Sequence, residues 1–410
     1  MIRMNHLGRV AAVGALAVLA SCESKHPTLG DVPMKTSDIF RSYVALGNSI
    51  TAGYQSGGIN DSTQRQSYAR LLAGSMGTQY HYASLNAPGC APPIANTQTG
   101  ARVGGGSSTT CALRSTASIT DVLNNVAVPG ARSLDPTNTS TVASNALTTF
   151  VLGGKSQVQK ALDASPTFAS IWIGNNDVLE AGLSGLLTAT APFSPGIVST
   201  QAVFQTNYDL MISQLLAGAP NLKGVLIGVV QVSGVPQLTS GALIASSAAL
   251  QGAISAGAGT PVAIHPNCTG SASLVNLVQL IPQIKAGAHP PIISCAVGAL
   301  PAPVGDLLVL DAAEQAALGA TITGYNNYIA QKAASIGFAY YDPNVLLAAK
   351  KATGEIPAAP NFASATATFG TLISLDGVHP AAAAHVLIAN GLVDAINAKY
   401  GTKLPAVVAP

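Results

Sequence analysis

Tyr43-Val44-Ala45-Leu46-Gly47-Asn48-Ser49 is the stretch on which the fold turns. An apolar run breaks at a glycine and hands over to a polar loop, which is how a buried strand ends. A serine placed there stands at the carboxyl end of a strand, where open α/β sheets keep their sites. From this point outward, strand and helix signals alternate. Residues 67–76 keep a helical face in Tyr68, Leu71, Leu72 and Met76. Ala169-Ser170-Ile171-Trp172-Ile173 reads as a buried strand, and residues 203–217 follow with Phe204, Tyr208, Met211, Ile212 and Leu215 at helical spacing. Residues 223–232 form a β-branched run suited to a central parallel strand. Residues 312–336 read as a long helix, 337–341 as a strand and 381–400 as a terminal helix. The alternation predicts an α/β fold in one catalytic domain, with a parallel sheet covered by helices on both faces.

Chemistry enters with Asp376-Gly377-Val378-His379-Pro380, close to the other end of the chain. An aspartate three residues before a histidine can reach the ring Nδ1–H and fix the tautomer, leaving Nε2 free to take a proton. With Ser49 as the hydroxyl, the three make an acyl-transfer triad, which is recognised by roles and not by chain order. Gly174-Asn175-Asn176-Asp177 ends the Trp172 strand, and Asn125-Val126-Ala127-Val128-Pro129-Gly130-Ala131 is another short apolar run ending in glycine. An asparagine amide and backbone N–H groups beside glycine are donors suited to an oxyanion. Singly these pieces say little, since Gly-X-Ser turns and Asp-X-X-His pairs are common.

Together, in this order, the four blocks resemble the SGNH hydrolases, also called GDSL esterases/lipases. The resemblance implies Ser49 as nucleophile, with Asp376 and His379 completing the triad. It puts the oxyanion hole at Ser49, Gly130 and Asn176, and sharpens the fold to a three-layer, flavodoxin-like α/β/α arrangement. The implied activity is serine-dependent hydrolysis of carboxylic esters, of esterase or lipase type, without a cofactor. The chain departs from the pattern in having Asn48 where the namesake motif has aspartate. That aspartate carries no proton, so the mechanism stands. Asn86-Ala87-Pro88-Gly89 is a rival for the second block. Gly130 is preferred because Asn125 precedes it behind a β-branched run, whereas Gly89 is followed by a cysteine and two prolines. The ester remains open among short acyl esters, acetylated glycans and phospholipid or acylglycerol chains. The competing class is a lipid-anchored binding or structural protein that keeps the fold without turnover; the full set of Ser49, Asn176, Asp376 and His379 argues against it.

The N-terminus reads as an address. Arg3 and Arg9 precede an apolar run over residues 10–20, shorter than the roughly 20 residues that span a bilayer. It closes in Leu19-Ala20-Ser21-Cys22, which resembles the bacterial lipoprotein cleavage box. The expectation is a signal peptide over 1–21, a lipidated Cys22 opening a tether over 22–40, a body over 41–400 and a tail over 401–410. Glu23 carries no inner-membrane retention signal, so the expected location is the outer membrane of the cell envelope, with the membrane as partner through the lipid. Cys90, Cys111, Cys268 and Cys295 remain, an even number that allows three pairings. The pairs Cys90–Cys111 and Cys268–Cys295 are favoured because each brackets a Gly/Pro/Ser-rich stretch.

No cysteine or histidine spacing fits a zinc site, so no metal is expected. Charged residues make up only 9% of the chain, and there is no basic stripe with aromatic interleaving, so nucleic acid is not an expected partner. Two loop-rich insertions stand out, at about 86–120 and 233–305, the second with one helical stretch over 273–284. Each follows a strand end that should face the site, so each is expected either to border the substrate or to be a disulfide-pinned surface excursion. Gly104-Gly105-Gly106 neither follows a strand nor opens a helix, which argues against a phosphate loop. His81, His265, His289 and His385 lack a neighbouring acid or cysteine set and read as structural or solvated; Tyr54 and Gln55, just after the nucleophile loop, are within reach of substrate, with packing or capping the preferred reading.

Overall fold

The computed structural model describes residues 38–113, 122–139, 145–185, 187, 198–296 and 308–408. The leader, Cys22 and most of the tether lie outside the described residues, as do parts of both insertions. Nine strands occur among those described: β1 (Tyr43–Gly47), β2 (Phe168–Trp172), β3 (Lys223–Ile227), β4 (Leu238–Ser240), β5 (Ala263–Ile264), β6 (Leu274–Asn276), β7 (Ile292–Ile293), β8 (Val309–Leu310) and β9 (Ala339–Tyr341).

The central sheet runs β1-β2-β3-β9, all parallel, with Tyr43 opposite Phe168, Phe168 opposite Lys223 and Val225 opposite Ala339. Outside β1 a fifth segment is bonded to the edge: Ala45 N–H donates to Asn124 O at 2.7 Å, and Val126 N–H to Ala45 O at 3.0 Å. The run ending in Gly130 is therefore an edge segment, and the spatial order becomes the flavodoxin-like 2-1-3-4-5. In that order the strand sequence reverses between β1 and β2, and the crevice beyond their carboxyl ends is where such sheets hold ligands.

Burial on both faces explains why the strands read as continuous apolar runs. Val44, Leu46, Ala169, Ile171 and Leu226 join one core with Phe204, Tyr325 and Ile329 of the helices Gln201–Gly218 and Ala312–Ile336. Tyr43, Ala45, Phe168, Trp172, Val225 and Ile227 join another, against Tyr68 and Leu72 of Tyr68–Met76 and Ile388 and Leu392 of Ala382–Tyr400. Three layers follow. The helices start where oxygen side chains can cap them: Ser67, Thr200 and, in a reciprocal capping box with Glu314, Asp311.

Three expectations need adjusting. The run over 223–232 is a strand only to Ile227, because the N–H groups of Val229, Val230 and Gln231 are taken by the side-chain oxygens of Asn326, Asn175 and Asn344. The packed body begins before residue 41, since Phe40 is buried and its ring lies edge-on to Phe168 at 5.1 Å. Beyond the terminal helix, the chain folds back: Leu404 N–H bonds Asn397 Oδ1 and Val407 N–H bonds Asn390 Oδ1.

The second insertion carries more regular structure than its composition suggests. It holds β4 and β6, which pair antiparallel with each other and with β8 just beyond it, the pair β5-β7 and the helices Gly241–Ser246, Ala248–Ala258 and Leu277–Lys285. Ile244, Ile254, Val275, Leu280 and Ile293 form a core of their own around the joined Cys268 and Cys295. Leu277–Lys285 answers to the helical stretch read over 273–284, whereas Gly241–Ser246 and Ala248–Ala258 are rich in alanine and serine, with Ser240 and Ser247 as caps, so little apolar periodicity marks them.

Candidate active site

Ser49 opens a single-turn helix, Ser49–Ala52, whose start is capped by Asn48: the Asn48 side chain accepts the Ile50 N–H at 3.1 Å. Capping needs only an oxygen, so asparagine serves where the namesake motif has aspartate. The turn is fastened from below by Gln157, whose amide accepts Gly47 N–H at 3.0 Å and donates to Gly47 O at 3.1 Å. Gly47 cannot carry a side chain, because a Cβ would lie 2.3 Å from Thr51 Oγ1 and 2.7 Å from Trp172 O.

The turn before the terminal helix brings His379 to Ser49, with Nε2 2.8 Å from Ser49 Oγ. On the other side of the ring, Nδ1 lies 2.9 Å from Asp376 Oδ2. The Asp376 carboxylate is held from several directions. Its Oδ1 accepts the N–H groups of Val378 and His379, each at 2.9 Å, and its Oδ2 accepts Gly57 N–H at 2.7 Å. Burial alone would raise its pKa, but the charge and hydrogen bonds of His379, with the backbone donors, hold it well below the usual carboxylate range. Asp376 is thus a fixed anion at neutral pH.

Asn176 lies in the turn Asn175–Asp177 after β2, and its Nδ2 donates one hydrogen to Ala131 O at 2.9 Å. That bond orients the amide and leaves its second hydrogen for the cleft. Gly130 borders the same cleft with Ser49, Asn176 and His379, in a cavity of about 420 Å³. Its φ of +85° favours glycine, and among the described residues neither its N–H nor that of Ser49 has a partner. Gly89 is not among the residues that border the cleft, although Cys90 beside it is, and a Cβ on Gly89 would meet Ile59 O at 2.3 Å. The loop of Gly130 and the turn of Asn176 are joined by Asp177. This buried carboxylate accepts Ser133 N–H at 2.7 Å and the hydroxyls of Ser133 and Ser199 at 2.6 and 2.7 Å. Burial pushes its pKa up, against those hydrogen bonds.

Ser49, Asp376, His379, Gly130 and Asn176 are thus all gathered at the sheet's reversal point. Such a set can pass a proton from a hydroxyl to an imidazole and offer three N–H donors to an oxygen nearby. Among the described residues no group of three or more His, Cys, Asp or Glu is gathered as a metal would require.

A profile of the GDSL-like Lipase/Acylhydrolase family matches residues 43–392, from β1 into the terminal helix. The chain belongs to the GDSL-like lipase/acylhydrolases. It is an ester-bond hydrolase. No curated protein matches its sequence. Among solved structures it is similar to the extracellular lipase of Streptomyces rimosus, at 18% identity over 86% of this chain and 99% of the other, with a TM-score of 0.36. It is also similar to phospholipase A1 of Streptomyces albidoflavus, at 16% over 87% and 98%, with a TM-score of 0.34. These likenesses are too distant to bear on the site, and the assignment rests on the family match.

Around the site lie neighbours that the sequence offered only as one of two alternatives. Tyr54 lays its ring 5.0 Å from the His379 ring and lines the cleft, where the reading by sequence favoured packing or capping. Cys90 and Cys111, joined as expected, line the cleft together with Thr109, so the first insertion borders the reacting atoms. The proximity of Tyr54 to Ser49 in the chain was the available signal; for the cysteines there was none beyond the insertion's place after a strand end.

Proposed function

We propose that this ester hydrolase works by two-step acyl transfer with Ser49 as nucleophile, His379 as general base and acid, and Asp376 as the orienting carboxylate. The observation that carries this reading is the unbroken relay Asp376–His379–Ser49, at 2.9 and 2.8 Å. Ser49 Oγ attacks the ester carbonyl carbon while its proton passes to His379 Nε2. The oxyanion accepts hydrogen bonds from the N–H of Ser49, the N–H of Gly130 and the Asn176 amide. Collapse expels the alcohol, which takes the proton from His379. Water then attacks the acyl-serine, giving its proton to His379, and the acid leaves as Ser49 is reprotonated. Ser49→Ala should abolish hydrolysis and labelling by a fluorophosphonate with the melting temperature almost unchanged. Labelling that persists on the variant would remove Ser49 from this role.

We also infer that the enzyme is exported, with residues 1–21 as leader and 22–40 as a tether lipidated at Cys22, and held on the outer membrane. The two disulfides support export, because such bonds persist in oxidising compartments. The sequence Leu19-Ala20-Ser21-Cys22 supports the lipid. Cys22→Ser should release the protein from the membrane fraction with its activity intact; an unacylated Cys22 in the mass spectrum of wild type would end this reading.

A further inference from the structure

Beneath Ser49, Asn176 and His379 lies a chamber of about 40 Å³, whose far wall is made by Ile50, Val230, Val235 and Val378. The same four side chains line a second chamber of about 80 Å³, enclosed by Trp172, Leu347, Leu372 and Ala384 among others. The two chambers are thus neighbours with a shared lining. The second chamber is almost wholly apolar: its one charged neighbour, Lys350, has its Nζ 2.8 Å from Glu355 Oε1. It belongs to neither insertion alone, being built from the loop after β3, the helix Pro343–Ala352 and the start of Ala382–Tyr400.

We propose that this chamber receives the acyl chain of the ester and makes the enzyme selective for medium-length chains, a reading that rests on Ser49 as nucleophile. Adjacency to the site is the first argument, since the two chambers share four lining side chains. Apolar cavities of this kind stay dry and take up hydrocarbon. The second is the order of the chemistry. The alcohol must depart before water attacks, and the wide cleft beside Cys90, Thr109 and Cys111 gives it a way out. The acyl group stays bound to serine through the second step, which suits the inner chamber. The third is size. The larger chamber, at about 80 Å³, offers room for several methylenes. Allowing also for the carbons beside the four shared side chains, we set the fit at medium-length acyl chains, of about eight to ten carbons.

The test is a p-nitrophenyl ester series from acetate to myristate on the full chain, with Ser49→Ala and fluorophosphonate labelling alongside. Wild-type kcat/KM should rise by up to roughly fourfold per added methylene, reach a maximum near eight to ten carbons and then fall. Ala384→Leu fills the chamber and should move the maximum to shorter chains, lowering the octanoate-to-acetate ratio by about tenfold or more. Leu372→Ala enlarges it and should move the maximum to longer chains. General damage to the fold would lower all lengths together and leave the ratio as it was, which would overturn the proposal. So would a serine-labelled, active enzyme whose maximum lies at acetate. A matched series of acetate esters with lengthening alcohols should be nearly flat; a steep rise there would assign the chamber to the alcohol instead. Persistent activity of Ser49→Ala would mark failure of the nucleophile assignment itself, separately from chain selectivity.

Discussion

Asp376 has no spare oxygen for error. Oδ1 faces two backbone donors, Val378 and His379, and also accepts from the Ser374 hydroxyl at 3.1 Å. In Asp376→Asn the amide oxygen must stay there, which puts NH₂ against Gly57 N–H and His379 Nδ1. The ring is then driven to the tautomer with hydrogen on Nε2, which cannot take the Ser49 proton. We expect kcat to drop by roughly 10³–10⁴, the size of the effect of tautomer loss in a serine triad. Full activity in steady-state assays would reduce the triad to Ser49 and His379. A second histidine makes the opposite point. His385 is buried, accepts Tyr68 N–H on Nδ1 at 3.1 Å and stacks on the Tyr68 ring. Burial, helped by the nearby His379, pushes its pKa down to about 3. The unfolded chain therefore binds this proton from about pH 6.5 downward while the folded chain refuses it. Its contribution to stability is whole above pH 6.5 and is lost as pH falls toward 3, with a slope of up to about 1.4 kcal/mol per pH unit. His385→Gln keeps an acceptor for Tyr68 but does not titrate. Between pH 6.5 and 5, above the ordinary carboxylate range, its melting temperature should fall less steeply than that of wild type. Parallel curves would show that His385 takes no part in acid lability.

Of the three proposed oxyanion donors, Gly130 and Asn176 come from separate turns that Asp177 ties together through Ser133. Asp177→Ala leaves Ser133 N–H and two hydroxyls without acceptors, at a cost of about 1–3 kcal/mol for each buried group left unpaired. With the Gly130 loop and the Asn176 turn free to part, kcat should fall by about 10²-fold. KM should change little, because ground-state binding does not rest on the oxyanion. A KM effect with kcat intact would place Asp177 in substrate binding. Which elements could be read from the chain follows from the same physics. β1, β2 and the long helices are legible because burial on both faces, or on one helical stripe, writes itself into apolar spacing. That Ser49, Asn176 and His379 lie together is legible because the proposed acyl transfer demands particular residue types in particular turns. The fastening of Gly47 by Gln157, the hold of Asp177 on Ser133 and the end of β3 at Ile227 are not. Each joins polar residues far apart in the chain, and their types are common in loops.

The two insertions illustrate how alike segments can play unlike parts. Both are pinned by a disulfide, closing loops with separations of 21 and 27 residues. Loop-closure entropy of this size is worth roughly 3–4 kcal/mol in each case. The first insertion is coupled to the chemistry. Arg102 donates to Gly57 O at 3.0 Å and to Pro92 O at 2.6 Å, and Gly57 N–H in turn holds Asp376. Cys90 and Cys111 themselves face the cleft. The second insertion has its disulfide inside a separate core, and around Ser49 it offers only Val235 among the residues lining the small chamber. The double variant Cys90→Ala/Cys111→Ala should therefore lower both melting temperature and kcat/KM, the latter by about tenfold or more, a loss of roughly 1.4 kcal/mol in transition-state stabilisation. Cys268→Ala/Cys295→Ala should lower the melting temperature comparably yet keep kcat/KM near wild type, assayed well below unfolding. Calorimetry and ester kinetics on the same preparations separate the two. If activity tracked stability equally in both variants, the disulfides would be interchangeable staples, and the link from Arg102 through Gly57 to Asp376 would carry no catalytic weight.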